Sequence, residues 1–318
     1  MKLVVTIPAY NEENTIATVI REIPRHVEGV DSVEVLVIDD GSSEDTVRNA
    51  REAGADHIIS HKKNEGLGIT FRDGLDGALE IGADIIVSID GDGQYNAKDI
   101  PKLIQPLLKN KADIVLGWRD IDNLDFMPRG KKIGNKIATW FTNFVCGAAV
   151  PIKDAQSGFR AFSKEVALRM NLAGKYTYVQ ETLMEAMYKG FKVEQVPIEF
   201  RPRRGQSRLI PSLPTYARRS GRIILTTYWN YHPFRIFGLI GGAFVVTGVA
   251  LGIRVLVHFV LVGVISPLIP SMITAALLIA IGIQAIIFGL FAETLKSQRR
   301  FQEEILYRLK KRESNSHG

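Results

Sequence analysis

Asp90 and Asp92 lie in the stretch "SIDGDGQ" (Ser88 to Gln94), two carboxylates separated by one glycine immediately after an apolar run. If the intervening glycine lets the chain bend, both acids face one locus. Neither has a basic neighbour in sequence, so their mutual repulsion calls for a counter-charge, which a divalent cation supplies. Gln94 adds a further oxygen, and Mg²⁺ or Mn²⁺ held by hard oxygen ligands, waters and phosphate groups is the expected set. Asp and Gly also make ordinary turns, so the pattern alone is weak. It is not an EF-hand, because the twelfth position counted from Asp90 is Pro101 and not a glutamate.

A neighbouring stretch, "VIDDGSSEDT" (Val37 to Thr46), places Asp39 and Asp40 at the end of another apolar run. Ser42 or Ser43 is expected to cap the next helix, with Asp45 in its first turn, which leaves Asp39 to hydrogen-bond a ligand. Other chemistries find little support. "GLGITF" (Gly66 to Phe71) begins like a dinucleotide fingerprint but lacks the third glycine and follows the third apolar run, so Gly66 and Gly68 serve a close backbone approach or a turn. His57 and His61 lack a third ligand at zinc-like spacing and read as surface residues. The sequence has no P-loop and no Gly-x-Ser-x-Gly elbow.

The elements that must position these groups are legible as β-branched runs: "KLVVTIP", "VEVLVID", "DHIIS", "ADIIVSID" and "ADIVLG". Helical stretches lie between them, and this alternation predicts an α/β fold with a mostly parallel, Rossmann-like sheet covered on both faces. In open α/β sheets ligands lie beyond the carboxyl ends of the strands, where "PAYNEE", "DDGSSED" and "GDGQ" all fall. Further on, "KKIGNKIATWFTNFVCG" and "YVQETLMEAMYKG" read as helices and "FKVEQVPIEFRPR" as extended.

Charged residues are frequent up to Arg235 and then almost vanish from Ile236 to Ala292, where Arg254 alone is formally charged. Within that stretch, about 236–257 and 271–292 are each 22 residues of apolar sequence. As helix each would span about 33 Å at ~1.5 Å per residue, enough to cross a bilayer. Arg218, Arg219, Arg222 and Arg235 precede the first span and a run of Lys and Arg follows the second, while the connection between them has neither. The positive-inside bias therefore predicts an integral membrane protein with a two-helix transmembrane hairpin, its soluble domain and C-terminal tail cytoplasmic. The expected division is an α/β domain over 1–210, juxtamembrane interfacial helices over 211–235, two spans within 236–292 and a basic tail over 293–318. The formal charge of +6 sits beside the spans, so anionic lipid explains it and no nucleic-acid partner is expected. Glu12 and Glu13 interrupt the first apolar run too early for a signal peptide. Cys146 is the only cysteine, which permits no intrachain disulfide and suits a reducing compartment.

The ordered set "PAYNEE", "VIDDGSSEDT", "NEGLG", "DGDGQ", "DAQSGFRAF" and "RPRRGQSRL" resembles the family-2 glycosyltransferases, most closely their polyprenyl-phosphate branch typified by dolichyl-phosphate mannose synthase. The likeness runs from about Leu3 to Leu209, and the tandem spans look like the membrane hairpin of that branch. The resemblance implies a GT-A fold and a metal-dependent, inverting transfer of a hexose to a polyprenyl or dolichyl phosphate. The donor it implies is a nucleotide-diphosphate sugar, most familiarly GDP-mannose, with a UDP-sugar as the alternative. It further implies that Pro8, Tyr10, Glu12 and Asp39 line the nucleoside pocket, and that Asp90, Asp92 and Gln94 bridge Mg²⁺ or Mn²⁺ to the diphosphate. Arg119 and Lys131 match acceptor-phosphate positions, although Lys131 stands where arginine is common and Asn135 where serine is common. A basic residue of "RPRRGQS" is implied to close over the diphosphate; Arg203 is the candidate, with Arg201 and Arg204 left open. Ser157, Gly158 and Phe159 are expected to shape the sugar pocket, or else Phe159 and Phe162 are core.

A phosphate monoester, with a second pKa near ~6, is already an anionic nucleophile at neutral pH, so such an acceptor needs cationic positioning groups more than a base. Were the acceptor a hydroxyl, Asp154 or Glu181 would be weighed as the base. Two other readings stay open. One is a hydroxyl-directed family-2 transferase of surface polysaccharide synthesis, which two spans and the lack of a "QxxRW"-like motif disfavour. The other is a catalytically silent nucleotide-sugar-binding membrane protein, which the presence of Asp90, Asp92 and Gln94 disfavours.

Overall fold

Val, Ile and Leu dominate β1 (Lys2–Ala9), β2 (Ser32–Asp39), β3 (His57–Ser60), β4 (Ile85–Ser88) and β5 (Ile114–Trp118), and these side chains suit a pleated surface buried on both faces. The computed structural model describes residues 1–43, 45–146, 151–172, 178–202, 229 and 233–316. Two short strands, β6 (Arg160–Ser163) and β7 (Val193–Pro197), complete a seven-stranded sheet of order β3-β2-β1-β4-β6-β5-β7. Among the described strands only β6 runs antiparallel, to β4 on one side and β5 on the other. The remaining pairs are parallel, with Ala9 opposite Asp39 at the carboxyl ends of β1 and β2.

Alternation along each strand feeds two cores. Val5, Ile7, Val35 and Val37 pack with Ile16 and Ile20 of α1 (Ile16–Glu22), Ala50 of α2 (Thr46–Glu52) and Leu103 and Ile104 of α4 (Ile100–Leu108). Val4, Leu36, Ile38 and Ile86 face the other way, onto Phe71 and Leu75 of α3 (Leu67–Glu80), Val166 of α6 (Lys164–Arg169) and Ala186 of α7 (Val179–Tyr188). The long α5 (Arg129–Cys146) contacts α7. The sheet is thus covered on both faces, as the sequence pattern predicts.

The chain divides into two units, Met1–Ile224 with Glu304–Gly318, and Leu225–Glu303. In the first, the C-terminal segment packs on the α3 and α6 face. Tyr307 is buried there; its hydroxyl lies 3.1 Å from Glu165 Oε2, and the Arg169 guanidinium stands 3.9 Å over its ring. Lys310 Nζ reaches Asp76 Oδ1 at 2.6 Å.

The second unit contains α8 (Pro233–Val262) and most of α9 (Ile269–Ser316), both long and apolar enough to cross a membrane. Few of their residues are buried, unlike those of a core helix. They meet along a small-residue seam: a Cβ added to Gly241 would stand 2.5 Å from the Gly282 carbonyl oxygen, and one at Gly248 would stand 2.9 Å from that of Ala275. Close backbone approach of this kind is how apolar helices associate where water exclusion gives them no drive. The expected spans, 236–257 and 271–292, lie inside these longer helices.

Candidate active site

The loops after β1 and β2 are laced together. Asn11 adopts a left-handed φ of 53°, its N–H donates to Ser42 Oγ at 2.8 Å, and its Oδ1 accepts the Ser43 N–H at 2.9 Å. The Glu12 N–H donates to Thr46 Oγ1 at 3.1 Å. The serines therefore do not cap α2, whose N-cap Asp45 makes no side-chain capping bond. Pro8 and Asp39 are buried, Glu12 is half-buried and Tyr10 is exposed. All four nucleoside candidates thus gather at the carboxyl ends of β1 and β2.

Asp40, beside Asp39, has a different task. Its carboxylate accepts the N–H groups of Glu65 and Gly66 at 2.9 and 3.0 Å and lies 2.8 Å from His61 Nδ1. His61 Nε2 in turn lies 3.2 Å from Asp73 Oδ2, so this histidine sits part-buried between two carboxylates and is not the free surface residue the sequence suggested. His57 keeps to the surface reading, partly exposed beside Glu34. Gly41, at φ 73°, packs so tightly on the same loop that a Cβ would come within 2.5 Å of the Lys63 carbonyl carbon. Gly66, at φ 101°, opens α3.

At the end of β4 the left-handed residue is Gly93, at φ 72°, and not Gly91 between the acids. Asp92 Oδ1 accepts the Gln94 N–H at 3.1 Å, and Gln94 Nε2 donates to the Arg201 carbonyl at 3.3 Å, which turns the amide oxygen to the opposite side. Asp90 rests against Gly158: a Cβ there would stand 3.0 Å from Asp90 Oδ2 and from the Tyr178 hydroxyl. The Gly158 N–H donates to the Tyr95 hydroxyl at 2.9 Å. Burial pushes the Tyr95 phenol up to about 12, so it stays protonated at neutral pH. The donor set is two carboxylates and an amide oxygen, hard ligands that fit Mg²⁺ or Mn²⁺ completed by waters and phosphate. Among the described residues no cluster of three or more His, Cys, Asp or Glu competes with it.

Across the rim lies a buried ion pair. Arg119 Nε and Nη2 donate to Asp154 Oδ2 and Oδ1 at 2.6 and 3.0 Å, the bidentate geometry of a strong charge-assisted pair. Asn135 Nδ2 and the Gln156 N–H, each at 3.2 Å, also donate to Asp154 Oδ1. Burial alone would raise this carboxyl, but Arg119 and the other donors hold it below the usual carboxylate range. The Arg119 guanidinium also stands 4.9 Å from the Phe200 ring centroid. Asp154 is therefore a committed partner and is poorly placed to be a general base.

Behind the 154–158 loop, fully buried Arg160 donates to the Ser157 and Ala155 carbonyls at 2.9 and 3.2 Å and to the Thr182 hydroxyl. Burial depresses its guanidinium to about 10, still cationic at neutral pH. Phe159 and Phe162 are both fully buried core residues. The Ser157 hydroxyl is buried without a hydrogen-bond partner among the described residues.

Lys131 is exposed on the first turn of α5, the helix that brings Asn135 to Asp154. Arg201 is tied to Glu22 at 2.8 Å and to Glu199 at 3.1 Å, while its N–H donates to the Gln94 carbonyl at 2.7 Å. Arg203, Arg204 and the juxtamembrane stretch through Arg222 lie outside the described residues. Sequence reasoning missed the roles of Asp40, Tyr95 and Arg160. Only Arg160 leaves a signal, an arginine flanked by apolar residues in "GFRAF".

Residues 4–169 match the description "Glycosyl transferase family 2". Glycosyltransferase AglJ of Haloferax volcanii is 32% identical over 302 residues, covering 93% of this chain and 94% of that protein. A UDP-N-acetylglucosamine--dolichyl-phosphate N-acetylglucosaminyltransferase of Methanococcus voltae is 33% identical, covering 61% of this chain and 83% of that one. Among solved structures, glucosyl-3-phosphoglycerate synthase from Mycobacterium tuberculosis, in complex with Mn²⁺, uridine diphosphate and phosphoglyceric acid, aligns with a TM-score of 0.58 at 25% identity, covering 72% of this chain and 78% of that one.

Proposed function

Since this chain belongs to glycosyl transferase family 2, with the GT-A sheet of that family, we propose that it transfers a hexose from a nucleotide-diphosphate sugar to a polyprenyl phosphate. It is a glycosyltransferase, and its relatives include enzymes named for dolichyl-phosphate acceptors in Methanococcus voltae, Haloferax volcanii and Pyrococcus furiosus. The observation that carries the reading is the juxtaposition at one sheet edge of the laced β1 and β2 loops, the Asp90–Gln94 rim and a part-buried arginine, Arg119, paired with buried Asp154.

In this reading Pro8, Tyr10, Glu12 and Asp39 hold the nucleoside, and Asp90, Asp92 and Gln94 hold the Mg²⁺ or Mn²⁺ that accompanies the diphosphate. When bound, that cation supplies Lewis-acid stabilisation of the leaving group; the M. tuberculosis neighbour is described with Mn²⁺ and uridine diphosphate together. Arg119 and Lys131 orient the acceptor phosphate in line with the anomeric carbon, and Arg203 closes over the diphosphate. An acceptor phosphate oxygen forms the new bond to the anomeric carbon as the bond to the donor diphosphate breaks. Nucleoside diphosphate departs and configuration inverts, giving a β-linked sugar phosphate from an α-linked donor. No proton need be abstracted, which agrees with a site whose buried carboxylate, Asp154, is engaged by Arg119.

Mannose from GDP-mannose is the transfer most familiar in the branch that the motifs resemble, and N-acetylglucosamine from its UDP conjugate is the transfer in the name of the Methanococcus relative. The two apolar helices would hold the enzyme in the membrane that carries its acceptor, with the catalytic domain cytoplasmic. The test is a panel of radiolabelled GDP-mannose, UDP-glucose and UDP-N-acetylglucosamine, each supplied with polyprenyl phosphate or with simple sugars. Label entering the organic phase only with polyprenyl phosphate supports the proposal; transfer to free sugars instead would replace it with the hydroxyl-directed reading.

A further inference from the structure

Helix α5 is built inside out. Its buried face carries Asn135, Thr139 and Thr142 beside Ala138 and Val145. The polar members are satisfied inward: Asn135 by Asp154, Thr139 by the Ala155 N–H at 3.1 Å, and Thr142 by the Ala138 carbonyl at 2.9 Å. Its outer face carries Ile133, Ile137, Trp140 and Phe144, which are 59, 60, 65 and 70% exposed. The four recur at the spacing of one helix face, and Trp140 stacks on Phe144 with ring centroids 5.8 Å apart. A helix facing water carries the opposite arrangement, so the outer medium this helix is built for is apolar.

The charges on the helix identify that medium. Arg129, Lys131, Lys132 and Lys136 occupy its N-terminal half, and no acidic residue lies anywhere on it. Of the neighbouring acids, Asp122 takes Lys136 at 2.5 Å and, through its carbonyl, Lys132 at 2.9 Å, while Arg129 and Lys131 are exposed. Cations at one end, a tryptophan in the middle and a phenylalanine beyond it match the order of headgroups, interface and acyl chains. Lys and Arg at such a surface are drawn to anionic lipid. A single row of four side chains is far short of the roughly 20 residues a side of a stable protein dimer.

We propose that the outer face of α5 is a membrane-docking surface of the catalytic domain, seated in the interfacial region of a bilayer containing anionic phospholipid, in addition to the two candidate spans. It depends on no particular sugar donor or acceptor.

The test places an environment-sensitive NBD probe on Phe144→Cys or Ile137→Cys, in a Cys146→Ser background of the full chain, with Lys109→Cys at the end of α4 as the control. Each variant is reconstituted at one chain per nanodisc in phosphatidylcholine with phosphatidylglycerol, and thermal melting confirms an unchanged fold. The expected result is blue-shifted emission at positions 144 and 137, quenched several-fold more by doxyl-labelled lipid than at 109 and shielded from aqueous iodide. Iodide quenching at 144 and 137 equal to that at 109, with no response to doxyl lipid, overturns the proposal. A blue shift seen only when two chains share a disc also overturns it, by assigning the face to a second copy.

Discussion

Arg119 grips Asp154 through two nitrogens, at 2.6 and 3.0 Å, at a position where the aspartate has no exposure. Breaking one partner strands the other. Asp154→Asn is expected to cost about 3–5 kcal/mol, the range for an uncompensated buried charge, and Arg119→Gln in the same chain should recover part of the loss. Thermal melts of the solubilised protein test this, and a double variant as unstable as the sum of the singles would contradict it.

The same pair fixes a pH limb. Because the folded Asp154 carboxyl lies below its ordinary value, its stabilisation is fully present above the unfolded pKa of about 3.9 and is lost as pH falls through the lower folded value. Between pH 5 and 8, then, this group should add no pH dependence to the melting temperature, because its stabilisation is constant there. Asp154→Asn should flatten the acid limb below about pH 4. An acid limb identical to that of the unsubstituted protein would assign acid sensitivity elsewhere.

Asp92→Asn should lower turnover on the order of 100-fold or more while the protein still folds, through loss of an oriented cation. Chelation provides a readout apart from turnover: EDTA should weaken nucleoside diphosphate binding to the unsubstituted chain and leave binding to Asp92→Asn unchanged. Near-normal turnover of the variant would remove Asp92 from the reaction.

Asp40 holds the 61–66 loop through two backbone N–H groups and His61. Asp40→Ala removes the acceptor of two backbone N–H groups, so hydrogen exchange across Lys62 to Gly66 should accelerate and donor affinity should fall. Unchanged exchange there would show that Gly41 packing alone holds the loop.

Tyr307 pins the C-terminal segment to α3 and α6. Tyr307→Ala should cost about 3 kcal/mol, the low end for deleting a buried aromatic ring, and expose the bonds after Lys310 and Lys311 to trypsin. Protease resistance equal to that of the intact chain would count against the contact.

The sequence displayed the central strands β1 and β4 because a strand buried on both faces must be continuously apolar, as "KLVVTIP" and "ADIIVSID" are. Strand β6 escaped because its four residues include Arg160, whose burial depends on carbonyls of the 154–158 loop that spacing does not reveal. The acidic rim was legible because polar residues fall where strands end, yet Asp39 and Asp40 look alike in sequence and only their contacts separate them. The sequence marked α5 as a helix without saying which face packs inward, since Asn135 and Thr139 turn inward only where Asp154 and the Ala155 N–H receive them.

On the proposed reading, Asp90, Asp92 and Gln94 seat a cation against the donor diphosphate. Crystals soaked with Mn²⁺ and with UDP or GDP, measured at the manganese edge, test it most directly. An anomalous peak is expected within bonding distance of the Asp92 carboxylate and of a diphosphate oxygen; nucleotide bound with no manganese at that rim would remove the cation from the site.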